Sequence, residues 1–159
     1  MSGRRIDYFD DPDAPRATRI VPGVSVAVVN ENDQLLMIRR SDNDQWAIPG
    51  GKQEVGETPL EAARREVHEE TGIDCKITGL IGIFSSPRNV VEFTSNGEVR
   101  QEFSILFAGF PLCGETTTSP ESLQVAWVDR RDVRELPMTP AQKRRVGYML
   151  HFNGTPYLE

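Results

Sequence analysis

At 159 residues the chain suits one domain with a hydrophobic core of useful size. Its 38% hydrophobic and 26% charged content is ordinary for a globular protein. A net charge of −6 argues against a general binder of nucleic-acid polymers or anionic membranes, since both favour a basic patch.

Residues 1–19 form a polar arm, with Asp10-Asp11-Pro12-Asp13-Ala14-Pro15 giving little periodic signal. The expectation is an arm that is loosely ordered or pinned against a partner subunit, ahead of a single domain over 20–159. A homodimer with the arm reaching across is compatible with the chain, and nothing in the chain demands it. There is no apolar run of membrane-spanning length and no signal-peptide core near the N-terminus, so a cytoplasmic protein is expected. Cys75 and Cys113 form no disulfide framework and no thiolate metal spacing, which suits a reducing compartment.

Gly23 to Asn30 alternates like a strand, with Val24, Val26 and Val28 on one side. Asn30-Glu31-Asn32-Asp33 is turn chemistry and Gln34 to Arg40 reads as a return strand, so the pair predicts a hairpin. Thr58-Pro59-Leu60-Glu61 is a capping box with proline at the first helical position, and Gly72 fits the left-handed residue that ends the helix. Leu60, Ala63 and Val67 make the apolar stripe of that helix. Strands are expected over about 76–84, 101–110 and 124–129. Thr139-Pro140-Ala141-Gln142 opens a C-terminal helix with Val146, Met149 and Leu150 inward.

The chemistry concentrates on the first helix. Glu66, Glu69 and Glu70 fall at i, i+3 and i+4, which stacks three carboxylates on one face. Like charges at that spacing repel by roughly 0.2–0.5 kcal/mol per pair. Glu69 and Glu70 also occupy the last turn, where the helix dipole disfavours anions. A divalent cation would reverse the sign of each of these terms. Arg65 can reach Glu61 and Glu69, four residues to either side, and hold a carboxylate in place.

Gly51, Glu57, Arg65, Glu66, Val67, Glu69, Glu70, Gly72 and Ile73 together fill every specified position of a 23-residue pattern: Gly, five residues, Glu, seven residues, Arg-Glu-aliphatic-X-Glu-Glu-X-Gly-aliphatic. This resembles the signature of the Nudix hydrolases, and the preceding Trp46-Ala47-Ile48-Pro49-Gly50 looks like the stretch that leads into it in that family. The resemblance implies an α/β fold, a Nudix-type α/β/α sandwich with a mixed central sheet. It implies Glu66, Glu69 and Glu70 as metal ligands, joined by the carbonyl of Gly50, with Glu57 and Arg65 supporting their geometry. Carboxylate oxygens suit Mg2+, with Mn2+ as a substitute.

The implied reaction is attack of water on the diphosphate bridge of a nucleoside diphosphate linked to another group. Glu69 is the first candidate for the general base, with Glu57, Glu66 and Arg65 completing the catalytic set. Later glutamates compete with Glu69 for that role: Glu92, Glu98, Glu102 and Glu121, of which Glu121, just ahead of Trp127-Val128-Asp129, is preferred. Arg39, Arg40, Lys52 and Glu121 are the candidate substrate contacts. Strand alternation sends Arg39 and Arg40 to opposite faces, so one of them at most points at substrate. Tyr8, Phe84 and Phe103 sit at strand positions, where aromatics pack cores more often than they stack on bases.

The partner expected is a small nucleotide diphosphate. A (deoxy)nucleoside triphosphate or a related nucleotide comes first, with ADP-ribose or a nucleotide sugar as the alternative. Two readings of another class remain. One is a catalytically silent nucleotide-sensing module. The other is an isomerase of isopentenyl diphosphate, for which two histidines and two scattered cysteines are a poor endowment.

Overall fold

The computed structural model describes residues 3–159. The first helix, α1 (Pro59–Thr71), begins and ends as its sequence directs. The Glu61 amide donates to Thr58 Oγ1 at 3.2 Å, and the Thr58 amide donates back to Glu61 Oε2 at 2.8 Å. Gly72 closes the helix at φ 78°, in the left-handed region that lacks a Cβ penalty.

The strands divide between two sheets. The larger contains β1 (Arg5–Phe9), β2 (Arg19–Val28), β5 (Gly50–Lys52), β6 (Asp74–Phe84), β7 (Asn89–Phe93), β8 (Glu98–Cys113) and β10 (Tyr157–Leu158). Its organiser is the 16-residue β8. One edge of β8 runs parallel to β2, while the other is shared by antiparallel β7 and β6. The smaller sheet is β4 (Trp46–Ala47), β3 (Gln34–Arg40) and β9 (Ser122–Asp129). The second helix is α2 (Pro140–Leu150), preceded by a short 3-10 turn at Val133–Glu135.

Strand alternation builds a core on each side of the main sheet. Val24, Val26 and Val28 face α1 and pack with Leu36, Ala62, Ala63 and Val67. Ala27, Leu35, Met37 and Leu106 face the other way and pack with Val146 and Met149 of α2. Helices on both faces of a mixed sheet give the expected α/β/α arrangement. Among the described residues no helix is long and apolar enough to cross a membrane.

Three expectations need correction. The turn at 30–33 forms, with the Asn30 side chain accepting from the amides of Asn32 and Gln34. The strands it joins are not a hairpin, however: they belong to different sheets, and among the described residues their ladder pairing is one isolated bridge, Val29 to Leu35. Both edges of β3 are taken by β4 and β9, and both edges of β2 by β5 and β8. In the N-terminal arm, residues 5–9 are not loosely ordered but form a strand that pairs with β7 of the same chain. Leu60 lies outside the buried face of α1, which is formed by Ala62, Ala63, Glu66, Val67, Glu70 and Thr71.

Candidate active site

Two of the three helix carboxylates are buried. Glu66 is 8% exposed and Glu70 is 2% exposed, whereas the Glu69 side chain is 58% exposed. The glycines of β5 make this burial possible. The Gly50 amide donates to Glu70 Oε2 at 2.9 Å, and a Cβ on Gly51 would overlap the Glu66 carboxyl. Arg65 grips the rest of the loop. Its guanidinium forks onto both carboxyl oxygens of Glu57 and donates to Glu66 Oε1 at 2.9 Å, Glu69 Oε2 at 3.2 Å and the Lys52 carbonyl at 3.0 Å.

The electrostatics follow from that geometry. Burial pushes the Glu70 carboxyl up to about 8, against the pull of the Gly50 amide and Arg40, and the nearby charges of Glu66 and Glu121 add to the rise. Burial also raises Glu66, opposed by Arg65 and assisted by Glu69 and Glu121. Glu57 is lowered by the Arg65 hydrogen bond and by the Glu54 amide. Glu121, on the loop ahead of β9, therefore stands close enough to act on both buried carboxylates. Among the described residues no three acidic, His or Cys side chains are gathered tightly enough to hold an ion in their present rotamers. Glu69 is turned out to Arg65. The donors nevertheless fit a hard divalent cation: two buried carboxylates lacking enough positive charge, with a third on an exposed, rotatable side chain.

Beside the carboxylates opens a cavity of about 360 Å³, bordered by Gly50, Gly51, Glu66, Arg40, Lys52 and Glu121. Arg5, Glu102 and Arg145 border it as well. Of the paired arginines only Arg40 borders the cavity, forking onto Asp42 at 2.9 and 2.6 Å. Arg39 is removed from the candidate substrate contacts: alternation turns it away, and it pairs with Asp44 at 2.7 Å.

The competing glutamates are engaged elsewhere. Glu92 accepts from the Tyr8 hydroxyl, and Glu98 is held down at about 2 chiefly by Arg100. Burial would raise Glu102, but Arg145 and Arg5 outweigh it and hold that carboxyl at about 2. Phe84 is core, set edge-on to Tyr148. Arg5 and Arg145 went unnoticed in the sequence. The available signal was an arginine on the inward side of the C-terminal helix, beside Val146 and one turn from Met149.

Comparison with known proteins agrees with the geometry. The family model "NUDIX domain" matches residues 19–148. The chain belongs to the Nudix hydrolase family, enzymes that act on phosphoric anhydrides. It is 40% identical to a MutT-like protein of Streptomyces ambofaciens over 70% of this chain and 67% of that one. It is 41% identical to a putative 8-oxo-dGTP diphosphatase of Bacillus subtilis over 42% of this chain and 44% of that one. An ADP-ribose pyrophosphatase of Methanocaldococcus jannaschii is 32% identical over 72% of this chain and 66% of its own length. The fold superposes on a Nudix hydrolase from Nitrosomonas europaea with a TM-score of 0.73 at 20% identity, covering 89% of this chain and 77% of the other.

Proposed function

We infer that this Nudix chain is a Mg2+-dependent pyrophosphohydrolase that cleaves the diphosphate bridge of a small nucleotide. (Deoxy)nucleoside triphosphates or related nucleotides are the first choice of substrate. The observation that carries the reading is the pair of buried carboxylates, Glu66 and Glu70, whose burial and mutual repulsion call for a cation beside a glycine loop. Glu66, Glu69, Glu70 and the Gly50 carbonyl would hold Mg2+, or Mn2+ in its place, once Glu69 swings off Arg65. When bound, the cation lowers the pKa of the attacking water and neutralises charge building on the phosphoryl oxygens.

The chain's own residues supply the rest. Gly50 and Gly51 let the backbone approach the diphosphate without a Cβ in the way. Arg40 and Lys52 border the cavity and offer positive charge to phosphate. Glu69 takes the proton of the water as the new phosphorus–oxygen bond forms and the bridging bond breaks. Glu121 is the second candidate for that proton. Arg65, anchored on Glu57, is a positioning residue that sets where Glu66 and Glu69 point.

The relative named as an 8-oxo-dGTP diphosphatase supports the first substrate class, and the one named as an ADP-ribose pyrophosphatase supports the alternative of ADP-ribose or nucleotide sugars. The two free cysteines suit a cytoplasmic setting. The test is product analysis of a panel of nucleoside triphosphates, oxidised dGTP, ADP-ribose, nucleotide sugars and dinucleoside polyphosphates, with and without Mg2+. Wild type and Glu69→Gln are run together. Metal-dependent cleavage of one class, reduced by orders of magnitude in the variant, is expected. Binding of a nucleotide without any turnover would instead identify a sensing module.

A further inference from the structure

The carbonyls in the last turn of a helix have no partner within it and must find one outside. At the end of α1 two of them are taken by the loop that leads into β9. The Thr117 amide donates to the Thr71 carbonyl at 2.9 Å, and the Ser122 hydroxyl donates to the Glu70 carbonyl at 2.7 Å. The loop lies so close that a Cβ on Gly72 would overlap the Glu115 carbonyl. Helix and loop therefore meet at Glu70, the residue that supplies the most deeply buried carboxylate of the site.

Ser122 is itself buried and belongs to a chain of hydroxyls. Its Oγ gives its own proton to Glu70, so in the 2.9 Å contact with Ser119 Oγ it accepts. Ser119 Oγ accepts in turn from the amides of Glu121 and Ser122, each at 3.2 Å. The result is a continuous run of hydrogen bonds from the Glu121 amide, through both serine hydroxyls, to the backbone of Glu70. The Glu121 carbonyl is held from the other side, where it accepts from the amide of Ser41 at 3.0 Å, next to Arg40. Both backbone groups of Glu121 are thus fixed, while its side chain is exposed and borders the same cavity as Glu66. Its charge acts on Glu66 and on Glu70. Satisfying the Glu70 carbonyl takes one donor. The second hydroxyl, on Ser119, bears only on Glu121 and its loop.

We propose that Ser122, through Ser119, is a positioning residue that sets where the Glu121 carboxylate stands against the carboxylates of α1. It affects turnover only through Glu121. The inference rests on the proposed function, in which Glu121 is a candidate for the proton of the attacking water. Misplacing such a group by about 1 Å can cost on the order of 100-fold in rate, and slackening its loop should cost part of that.

A double-mutant cycle tests this, read as single-turnover hydrolysis with enzyme in excess so that slow variants stay measurable. Oxidised dGTP, the unmodified dNTPs and ADP-ribose are tried, and the one that wild type cleaves fastest in Mg2+ serves for every variant. Ser122→Ala should slow the rate at saturation on the order of tenfold, with little change in the half-saturating concentration. In a Glu121→Gln background the same change should cost no more than about twofold. Ser119→Ala leaves the Glu70 carbonyl its donor, should show the same dependence on Glu121, and serves alone if Ser122→Ala does not fold. A loss of equal size in both backgrounds would make Ser122 a cap of α1 and nothing more, and would overturn the proposal. So would full activity in both serine variants. Absence of Mg2+-dependent cleavage by the wild type is a distinct result, which would sink the proposed function and this inference with it.

Discussion

Replacing Glu70 by Gln should remove most of the pH dependence of stability that the metal-free protein carries between pH 5 and 9. Burial lifts the Glu70 carboxyl from 4.5 to about 8 in the folded chain. The native state therefore holds that proton more tightly than the unfolded state does. The resulting stabilisation is fully present below pH 4.5 and is lost as pH rises through about 8. At about 1.4 kcal/mol per pH unit, the rise from 4.5 to about 8 sets an upper limit of about 5 kcal/mol. That is a large share of the roughly 5–15 kcal/mol typical of a domain.

Glu66, also raised, acts in the same direction. Glu98 and Glu102, held at about 2, act only in acid, and buried Cys75, raised from 9, acts only in alkali. Glutamine keeps a carbonyl oxygen for the Gly50 amide and has no proton to lose, so the variant should keep only the slope that Glu66 contributes. Adding Mg2+ to the wild type should flatten its profile too, because the ion binds the ionised native site. Urea denaturation of both proteins at intervals from pH 5 to 9, with EDTA or with Mg2+, measures these quantities. A metal-free wild type as stable at pH 9 as at pH 5.5 would refute the reasoning.

Arg65→Lys removes the fork onto Glu57 while keeping a charge, and should lower kcat/KM on the order of 10–100-fold with little change in melting temperature. Steady-state kinetics would check this, and an unchanged kcat/KM would show that the loop geometry does not depend on the fork. Gly51→Ala places a methyl group on the Glu66 carboxyl and should cost about 1–3 kcal/mol while weakening Mg2+ binding; a metal titration matching wild type would contradict it. Thr58→Ala breaks the capping box and should lower stability by about 1 kcal/mol in urea while leaving kcat unaltered.

The parts legible in the chain were the local ones. The boundaries of α1 follow from Thr58, Pro59, Glu61 and Gly72, residues that act within a turn or so of themselves. The carboxylate set follows from helical spacing, which stacks Glu66, Glu69 and Glu70 whatever surrounds them. Alternation likewise separates Arg39 from Arg40, although only the fold says that Arg40 is the one bordering the cavity.

What the tertiary structure alone decided involves partners far apart in sequence. That Glu66 and Glu70 are buried while Glu69 is not depends on β5 packing its glycines against α1. The separation of β2 from β3 depends on which distant strands claim their edges, a competition that a plausible turn at Asn30–Asp33 cannot foretell. Arg5 and Arg145 are unremarkable along the chain, and Glu102 stands out only as one of four later glutamates. They become a cluster because a parallel pairing of β2 with β8, an edge pairing of β1 with β7 and the docking of α2 bring residues some 40 to 140 positions apart to one cavity. Local propensity acts over one turn of chain, whereas a binding site is assembled by contacts that only the completed fold brings together.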